Sequence, residues 1–244
     1  MEKMDKRDIE VVIFDYGNTL IELSSKQVVL LNDALFDLVT SFFGPCDRES
    51  FTAIRKRQIL APYASEEFIE NDREGICIEL IEELFSVVPS AGQVEAMLEL
   101  KEKIFVDVVE LPDFVIPLLE RLNEKYRLAF ISNYPCRASV VNSLKKCQIF
   151  DMFESIVVSG EIGRVKPHPD IFRKCLDELG VNPEVCVYVG DNWLADIQGA
   201  KRLGMHAVHT TQYVSYEQFE PYDGDYPPDA VIEHLLDLDG VLLK

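Results

Sequence analysis

The chain has 244 residues, of which 48% are hydrophobic and 27% are charged, a balance typical of a folded globular protein rather than a disordered one. Its formal net charge of -19 argues against nucleic acids and anionic membranes as partners, because phosphate-rich surfaces are bound by basic patches. The charged N-terminus does not resemble a signal peptide and no apolar run approaches the ~20 residues of a membrane-spanning helix, so we expect a cytoplasmic protein.

Several apolar segments rich in β-branched residues are typical of strands that are buried on both faces. Amphipathic helical patterns separate these segments, and this alternation predicts βαβ units and a mostly parallel sheet. The predicted strands are Ile9–Asp15, Arg127–Ser132, Ser155–Ser159 and Val185–Gly190, with His206–Thr210 as a fifth candidate. The predicted helices are 115–125, 138–146, 169–179 and 195–203, followed by a loop over 220–228 and a short helix near 230–236.

The interval from about residue 21 to residue 109 interrupts this alternation, because it contains amphipathic segments and no convincing strand. In the first segment Leu31, Leu35, Leu38 and Phe42 fall on one helical face, and Gly44 with the following proline ends the helix. The pattern predicts a helical unit inserted after the first strand. The basic run Arg55, Lys56 and Arg57 within this unit could bind an anionic part of a substrate, but a solvated helix face is the preferred interpretation, as such runs usually are.

Polar residues follow the predicted strands where those strands end, and ligands bind at this edge of an open parallel sheet. Together they offer carboxylates, a hydroxyl, an amide and a lysine, a set suited to phosphoryl transfer through a covalent aspartyl intermediate. Magnesium prefers hard oxygen ligands such as these carboxylates. The six cysteines include no C-x-x-C pair, so they predict neither a zinc site nor a redox motif. The strand-end residues are Asp15, Thr19, Ser132, Asn133, Lys166, Asp191 and Asp196.

Four motifs in this order resemble those of the haloacid dehalogenase superfamily, in the branch with a helical cap inserted after the first motif. The first motif of that family is matched at Asp15, Thr19 and Leu20, and the second at Ser132. The resemblance extends over essentially the whole chain. The third and fourth motifs are matched by Lys166-Pro167-His168-Pro169 and by Gly190-Asp191 with Asp196.

The resemblance implies an α/β fold with a Rossmann-like, doubly wound parallel sheet core, formed by residues 1–20 and 110–244. Residues 21–109 would form an α-helical cap that closes over the site and selects a small phosphorylated substrate. Asp15 would be the nucleophile, and Ser132 and Lys166 would bind the transferring phosphoryl group. Asn133 and Thr19 would contact the substrate. The implied ligands of a Mg²⁺ ion are Asp15, the backbone carbonyl of Gly17, Asp191 and Asp196.

Gly17 departs from the family pattern, because phosphatases of this family usually carry a second aspartate there. That aspartate protonates the leaving oxygen and helps to activate water, which is typically worth ~10²–10⁴-fold in rate. Three interpretations stay open at this point: a magnesium-dependent phosphatase, a haloacid dehalogenase, whose halide leaves without a proton, and a non-catalytic binding or regulatory protein with the same fold.

Overall fold

The computed structural model describes residues 8–23, 25–213 and 226–243. Six parallel strands form one sheet in the order β3-β2-β1-β4-β5-β6, so the chain winds outward in both directions from β1. This is the doubly wound parallel sheet that the sequence predicts, with β1 and β4 at the point where the strand order reverses. The strands are β1 Val11–Phe14, β2 Arg127–Ser132, β3 Ser155–Val158, β4 Cys186–Gly190, β5 His206–Thr210 and β6 Ala230–Ile232.

Successive residues of a strand point to opposite faces, and each face of this sheet carries its own layer of helices. Val12 and Phe14 of β1 belong to the hydrophobic cluster that includes α5, α6 and the C-terminal turns. Val11 and Ile13 belong to the cluster on the other face, which includes α8 and α9. The helices of the sheet region are α5 Val115–Asn123, α6 Arg137–Lys146, α7 Ser159–Ile162, α8 Pro169–Leu179 and α9 Gly199–Arg202, and a π-helical segment Trp193–Gln198 precedes α9.

One predicted element near the C-terminus is wrong. The segment near Ala230–Leu236 begins with the strand β6, which pairs with β5, and only Leu235–Asp237 is helical, as a single 3₁₀ turn. A three-residue strand is too short to show a periodicity, so the sequence pattern does not distinguish it from a helix. The predicted loop 220–228 lies outside the described residues up to 225, and residues 226–228 form neither helix nor strand.

Four helices occupy most of the interval that the sequence assigns to an insertion, and they have a hydrophobic cluster of their own. Leu35 and Val39 form the buried stripe of the first helix, whereas Phe42, predicted on that face, is 39% exposed. Among the described residues of the insertion no strand occurs, and Ile69 makes one isolated bridge to Arg164. These helices are α1 Ser25–Phe43, α2 Arg48–Leu60, α3 Arg73–Phe85 and α4 Ala91–Val108.

The insertion is held to the sheet region at the end of α4. Lys146 of α6 donates hydrogen bonds from Nζ to the carbonyl oxygens of Val106, Asp107 and Val109 at 2.8, 3.0 and 2.9 Å. A lysine in this position satisfies carbonyl groups that the end of a helix leaves unpaired. Phe105 and Val109 pack in the cluster of the sheet region, so the exact limits of the two units stay a prediction.

The basic run in α2 is not uniformly solvated, which corrects the expectation for Arg55. Arg57 is exposed and pairs with Glu79 and Glu83. Arg55 is only 7% exposed and faces inward. Residues two positions apart point in different directions on a helix, so Arg55 faces the protein interior while Arg57 faces solvent.

No single helix among the described residues is long and apolar enough to cross a membrane, although one bent pair, residues 27–43 and 48–63 with a 120° bend, meets that requirement by length and composition. All six cysteines are free thiols.

Candidate active site

The carboxyl ends of β1, β2 and β4 converge on a cavity of about 170 Å³. Parallel strands end at the same edge of a sheet, so the turns that follow them supply its polar wall. Six of the predicted site residues line this cavity together with Gly17: Asp15, Ser132, Asn133, Lys166, Asp191 and Asp196.

Lys166 lies at the centre of the polar network beneath this cavity. Its Nζ donates to Asp15 Oδ1 at 2.6 Å and to Asp196 Oδ1 at 2.7 Å. It also lies 2.9 Å from the hydroxyl of Tyr188 and 3.3 Å from the carbonyl oxygen of Ile131. With only 2% of its surface exposed, the ammonium is compensated by protein groups and not by water.

The charges of these three groups depend on one another. Burial raises the pKa of Asp15 to about 6, which the ammonium of Lys166 opposes and the carboxylate of Asp196 reinforces. Burial by itself lowers the pKa of Lys166, but Asp15 and Asp196 outweigh it and hold that pKa well above its usual value. Lys166 is therefore a permanent cation, and it favours the ionised, nucleophilic form of Asp15.

Three carboxylates are close enough to share a metal ion. One oxygen from each of Asp15, Asp191 and Asp196 lies within 4.8 Å of the others. The close approach of Asp196 requires glycine at position 190, because a Cβ there would lie 2.4 Å from Asp196 Oδ2. This donor set of hard oxygens fits Mg²⁺, which prefers carboxylates and retained waters.

Backbone hydrogen bonds orient the acidic turn after β4. Asp196 Oδ2 accepts from the amide of Asn192 at 2.9 Å, and Asn192 Oδ1 accepts from the amide of Ala195 at 2.9 Å. The carbonyl oxygen of Asp191 lies 2.9 Å from His209 Nε2 on the neighbouring strand β5. The turn that carries both aspartates is thus tied to itself and to β5.

Asn133 links the turn after β2 to the loop that carries the lysine. Its Oδ1 accepts from the Lys166 amide at 2.8 Å, and its Nδ2 donates to the Lys166 carbonyl oxygen at 3.1 Å. The same Nδ2 donates to the hydroxyl of Tyr63 at 2.9 Å. Its predicted contact with substrate stays a prediction, but Asn133 clearly positions the loop of Lys166.

The position of Thr19 does not agree with its predicted role as a substrate contact. It is completely buried, it does not line the cavity, and its hydroxyl has no hydrogen-bond partner among the described residues. The reason is the tight turn after β1, in which the amides of Leu20 and Ile21 both bond to the carbonyl oxygen of Tyr16, at 2.9 and 3.2 Å. This turn directs Thr19 into the protein.

Gly17 lines the cavity, and an apolar side chain occupies the space beside it. A Cβ at this position would lie 2.6 Å from Leu23 Cδ1. Asn18, in the left-handed region at φ 57°, accepts from the Leu23 amide at 3.0 Å and so holds Leu23 against the turn. The site therefore carries a leucine next to the position where an acidic side chain is expected.

Two tyrosines of the site were not predicted. Tyr188 lies within β4, a strand that was expected to be buried. Residues two positions apart on a strand point to the same face of the sheet, so Tyr188 and Gly190 lie on one face, and this spacing could have indicated Tyr188 as a site residue. Tyr63 lies in a 3₁₀ turn after α2, far from the sheet in sequence. No sequence pattern indicated that it reaches Asn133.

Comparison with known proteins identifies the family. The sequence-family model of the haloacid dehalogenase-like hydrolases matches residues 12–210, which is most of the chain. The chain belongs to the haloacid dehalogenase-like hydrolases. In this hydrolase the matched range contains all the residues assigned above to the four motifs.

Relatives of this hydrolase agree with that assignment. N-acylneuraminate-9-phosphatase of Rattus norvegicus is 26% identical over 240 residues, covering 96% of this chain and 94% of the relative. Glyceraldehyde 3-phosphate phosphatase of Methanopyrus kandleri is 38% identical over 137 residues, which cover 54% of this chain and 58% of the relative. The solved structure of 2-haloacid dehalogenase from Pseudomonas syringae pv. Tomato DC3000 has a TM-score of 0.71 and 25% identity, covering 96% of this chain and 98% of that one.

These findings confirm the predicted family, fold class and enzyme class, a phosphatase-type hydrolase. The metal, the intermediate, the roles of the individual residues and the location in the cell stay predictions.

Proposed function

We propose that this hydrolase is a magnesium-dependent phosphatase that acts on a small phosphorylated molecule through an aspartyl-phosphate at Asp15. The observation that carries the proposal is the position of Lys166 between Asp15 and Asp196, with Asp191 completing a carboxylate cluster at the edge of a cavity. Such a site offers a nucleophile, a fixed positive charge and a set of metal ligands to one phosphoryl group.

In the first half-reaction a carboxylate oxygen of Asp15 attacks phosphorus, and the bond from phosphorus to the leaving oxygen breaks. The leaving oxygen takes the electron pair of that bond. Lys166 neutralises charge on the phosphoryl group, and the hydroxyl of Ser132, which lines the cavity, donates to it. Water then attacks the aspartyl-phosphate, which releases phosphate and restores Asp15.

Asp15, Asp191, Asp196 and the carbonyl of Gly17 would hold Mg²⁺ beside the phosphoryl group. When bound, the ion neutralises negative charge on the phosphoryl oxygens and orients them for in-line attack. Residues 21–109 act in this proposal as a cap that limits access of water to the cavity.

Gly17 restricts the substrates that this site can cleave quickly. Neither glycine nor the adjacent Leu23 can protonate the leaving oxygen. Acyl phosphates, aryl phosphates and phosphoanhydrides have leaving groups that need little protonation, so we propose that the substrate belongs to one of these classes.

The test is incubation of the purified protein with Mg²⁺ and acetyl phosphate, followed by intact mass measurement. The expected result is one added phosphoryl group or rapid release of phosphate, in both cases lost in Asp15→Asn. A folded protein that binds Mg²⁺ but gives neither adduct nor phosphate would contradict the proposal and favour the non-catalytic alternative.

Dehalogenation is the second candidate, favoured by Gly17 because a halide leaves without a proton. The same preparation, assayed without Mg²⁺ for halide release from a 2-haloacid, distinguishes the two reactions. The retained carboxylate cluster around Lys166 supports phosphoryl transfer over this alternative.

A further inference from the structure

A second and larger cavity, of about 390 Å³, adjoins the first one. The two share wall residues that include Leu23, Tyr63, Phe105 and Asn133, so a ligand can extend from one into the other. The wall of the second cavity comes largely from α1, α2 and α4 and is rich in apolar side chains, among them Val28, Leu31, Ile59, Pro62, Ile76 and Val108.

Arg55 is a buried cation in this wall with no carboxylate partner among the described residues. Its Nη1 donates to Gln58 Oε1 at 2.9 Å and its Nε to Asn32 Oδ1 at 3.4 Å, and both acceptors are neutral amides. A guanidinium has five N–H groups, so three are left without an acceptor among the described residues. A buried charge without a counter-charge is costly, which makes an external partner the natural explanation.

Lys101 of α4 lines the same cavity and has neither a hydrogen-bond acceptor nor an ion pair in the described part of the chain. Burial, and to a smaller extent the nearby charge of Arg55, together lower the pKa of Lys101 to about 8. Two cations thus face one cavity without an anion between them.

Several other cations of the insertion are paired with carboxylates, unlike Arg55 and Lys101. Arg57 contacts Glu79 at 3.0 Å and Lys103 contacts Asp107 at 3.0 Å. With 43 acidic and 24 basic residues in the sequence, carboxylates are abundant. Arg55 and Lys101 nevertheless form no ion pair with a carboxylate among the described residues.

One carboxylate, Glu70, does line the second cavity, but its oxygens are engaged elsewhere. Oε2 accepts from the hydroxyl of Ser159, and Oε1 accepts from the amide of Asn71 at 2.7 Å. Burial also raises the pKa of Glu70, which favours its neutral form and weakens repulsion of an anion.

We propose that Arg55 and Lys101 form a subsite for a second anionic group, so that the substrate is a phosphorylated molecule with an apolar middle and a carboxylate or phosphate at its far end. This inference rests on the proposed function for the placement of the first phosphoryl group in the smaller cavity. The subsite itself follows from the buried Arg55, the partly buried Lys101 and the shape of the second cavity.

Phosphonates test the subsite without turnover, because their P–C bond is not hydrolysed. Wild-type protein with Mg²⁺ is titrated by calorimetry with alkyl phosphonates of short, medium and long chain, each ending in a methyl, a carboxylate or a second phosphonate. At one or more chain lengths, we expect the phosphonate with an anionic end to bind at least about tenfold more tightly than the phosphonate with a methyl end. This difference corresponds to one charge-assisted hydrogen bond to a group shielded from water. The stronger of the two anionic arms identifies the group that the subsite takes.

The preference should be lost in Arg55→Gln and Lys101→Met and retained in the matched exposed controls Arg57→Gln and Lys103→Met. Thermal melting verifies that each variant is folded. If Arg55→Gln does not fold, Lys101→Met alone tests the subsite. Equal binding of methyl and anionic ends at every length in the wild type, or a preference that survives both substitutions, would overturn the subsite.

The outcome is separable from that of the proposed function. Hydrolysis of acetyl phosphate tests only the smaller cavity and does not require Arg55 or Lys101. A charge preference that depends on these residues supports the subsite even if acetyl phosphate is not cleaved. Cleavage of acetyl phosphate without a preference for anionic ends would support the proposed phosphatase activity and contradict the subsite.

Discussion

Lys166 determines the electrostatics of the smaller cavity at the scale of single residues. It separates Asp15 from Asp196, two buried carboxylates that would otherwise repel each other with little water to screen them. The lysine thus has a structural role in the folded protein before any substrate or metal arrives.

Lys166→Met should lower the free energy of unfolding at neutral pH by about 3–5 kcal/mol, because it leaves Asp15 and Asp196 without their buried counter-charge. The loss should be smaller at pH 5 than at pH 8, since the pKa of Asp15 is raised to about 6 and its protonation removes the repulsion. Urea unfolding at both pH values measures this. Lys174→Met, which removes the exposed pair of Lys174 with Glu178, is the control and should cost about 0–1 kcal/mol. Equal losses for the two variants would contradict the prediction.

Gly17→Asp should restore little activity by itself, because Leu23 occupies the space that the new side chain needs. The double variant with Leu23→Ala frees this space, and its activity on an alkyl phosphate should rise by about 10²–10⁴-fold, the usual worth of a general acid. Steady-state kinetics of wild type, both single variants and the double variant measure the effect. An equal gain in Leu23→Ala alone would show that steric access, and not proton transfer, limits the rate.

At the scale of elements, the segment between α2 and α3 pairs with the loop that leads to Lys166. The amide of Val165 donates to the Phe68 carbonyl oxygen at 2.8 Å, and the amide of Glu70 donates to the Gly163 carbonyl oxygen at 3.1 Å. The side chain of Glu70 adds its bond to Ser159. This short ladder ties the helical insertion to the loop that carries Lys166.

Glu70→Gln should become progressively more stable than the wild type as the pH rises from about 4.5, the ordinary pKa of the group. The folded protein raises the pKa of Glu70, so the native state binds more protons than the unfolded chain and its stability falls as the pH rises through this window. The difference should level off above the folded-state pKa. Chemical unfolding of both proteins from pH 4 to pH 8 measures it, and a difference that is constant with pH would refute the assignment.

At the scale of the whole molecule, the chain is stabilised by separate hydrophobic clusters. Two lie on the faces of the sheet, and the third joins α1, α2, α3 and α4. Because the third cluster contains no residue of the sheet, we expect the insertion to loosen without displacing the carboxylates.

Leu80→Ala in the third cluster should lower the free energy of unfolding of the insertion by about 2–5 kcal/mol, because Leu80 is buried and its truncation leaves a cavity. We expect faster protease cleavage within residues 21–109 and unchanged Mg²⁺ binding by the carboxylates of the sheet region. The matched variant Leu118→Ala, in a sheet cluster, should expose the whole chain to protease. The idea of an independent insertion fails if Leu80→Ala weakens Mg²⁺ binding as much as Leu118→Ala does.

Five of the six strands and the charged residues of the smaller cavity could be predicted from the sequence. Strands covered on both faces are continuous apolar runs, and the polar residues that follow them must meet because parallel strands end at one edge. Asp15, Asp191, Asp196 and Lys166 could therefore be placed together before any coordinates. A helical insertion was indicated by amphipathic periodicity and by the absence of strand patterns, but the number of its helices was not.

The surroundings of those residues, by contrast, depend on tertiary packing. Thr19 belongs to the first motif, but a turn of the backbone buries it; Arg55 belongs to a charged run, but the packing of α2 turns it inward. Tyr63 and Leu23 reach the cavity from segments whose positions depend on long-range packing. Periodicity shows which side of a helix or strand is apolar, but it does not show which neighbour that side meets, and this neighbour sets the space, the charge and the partners of each group.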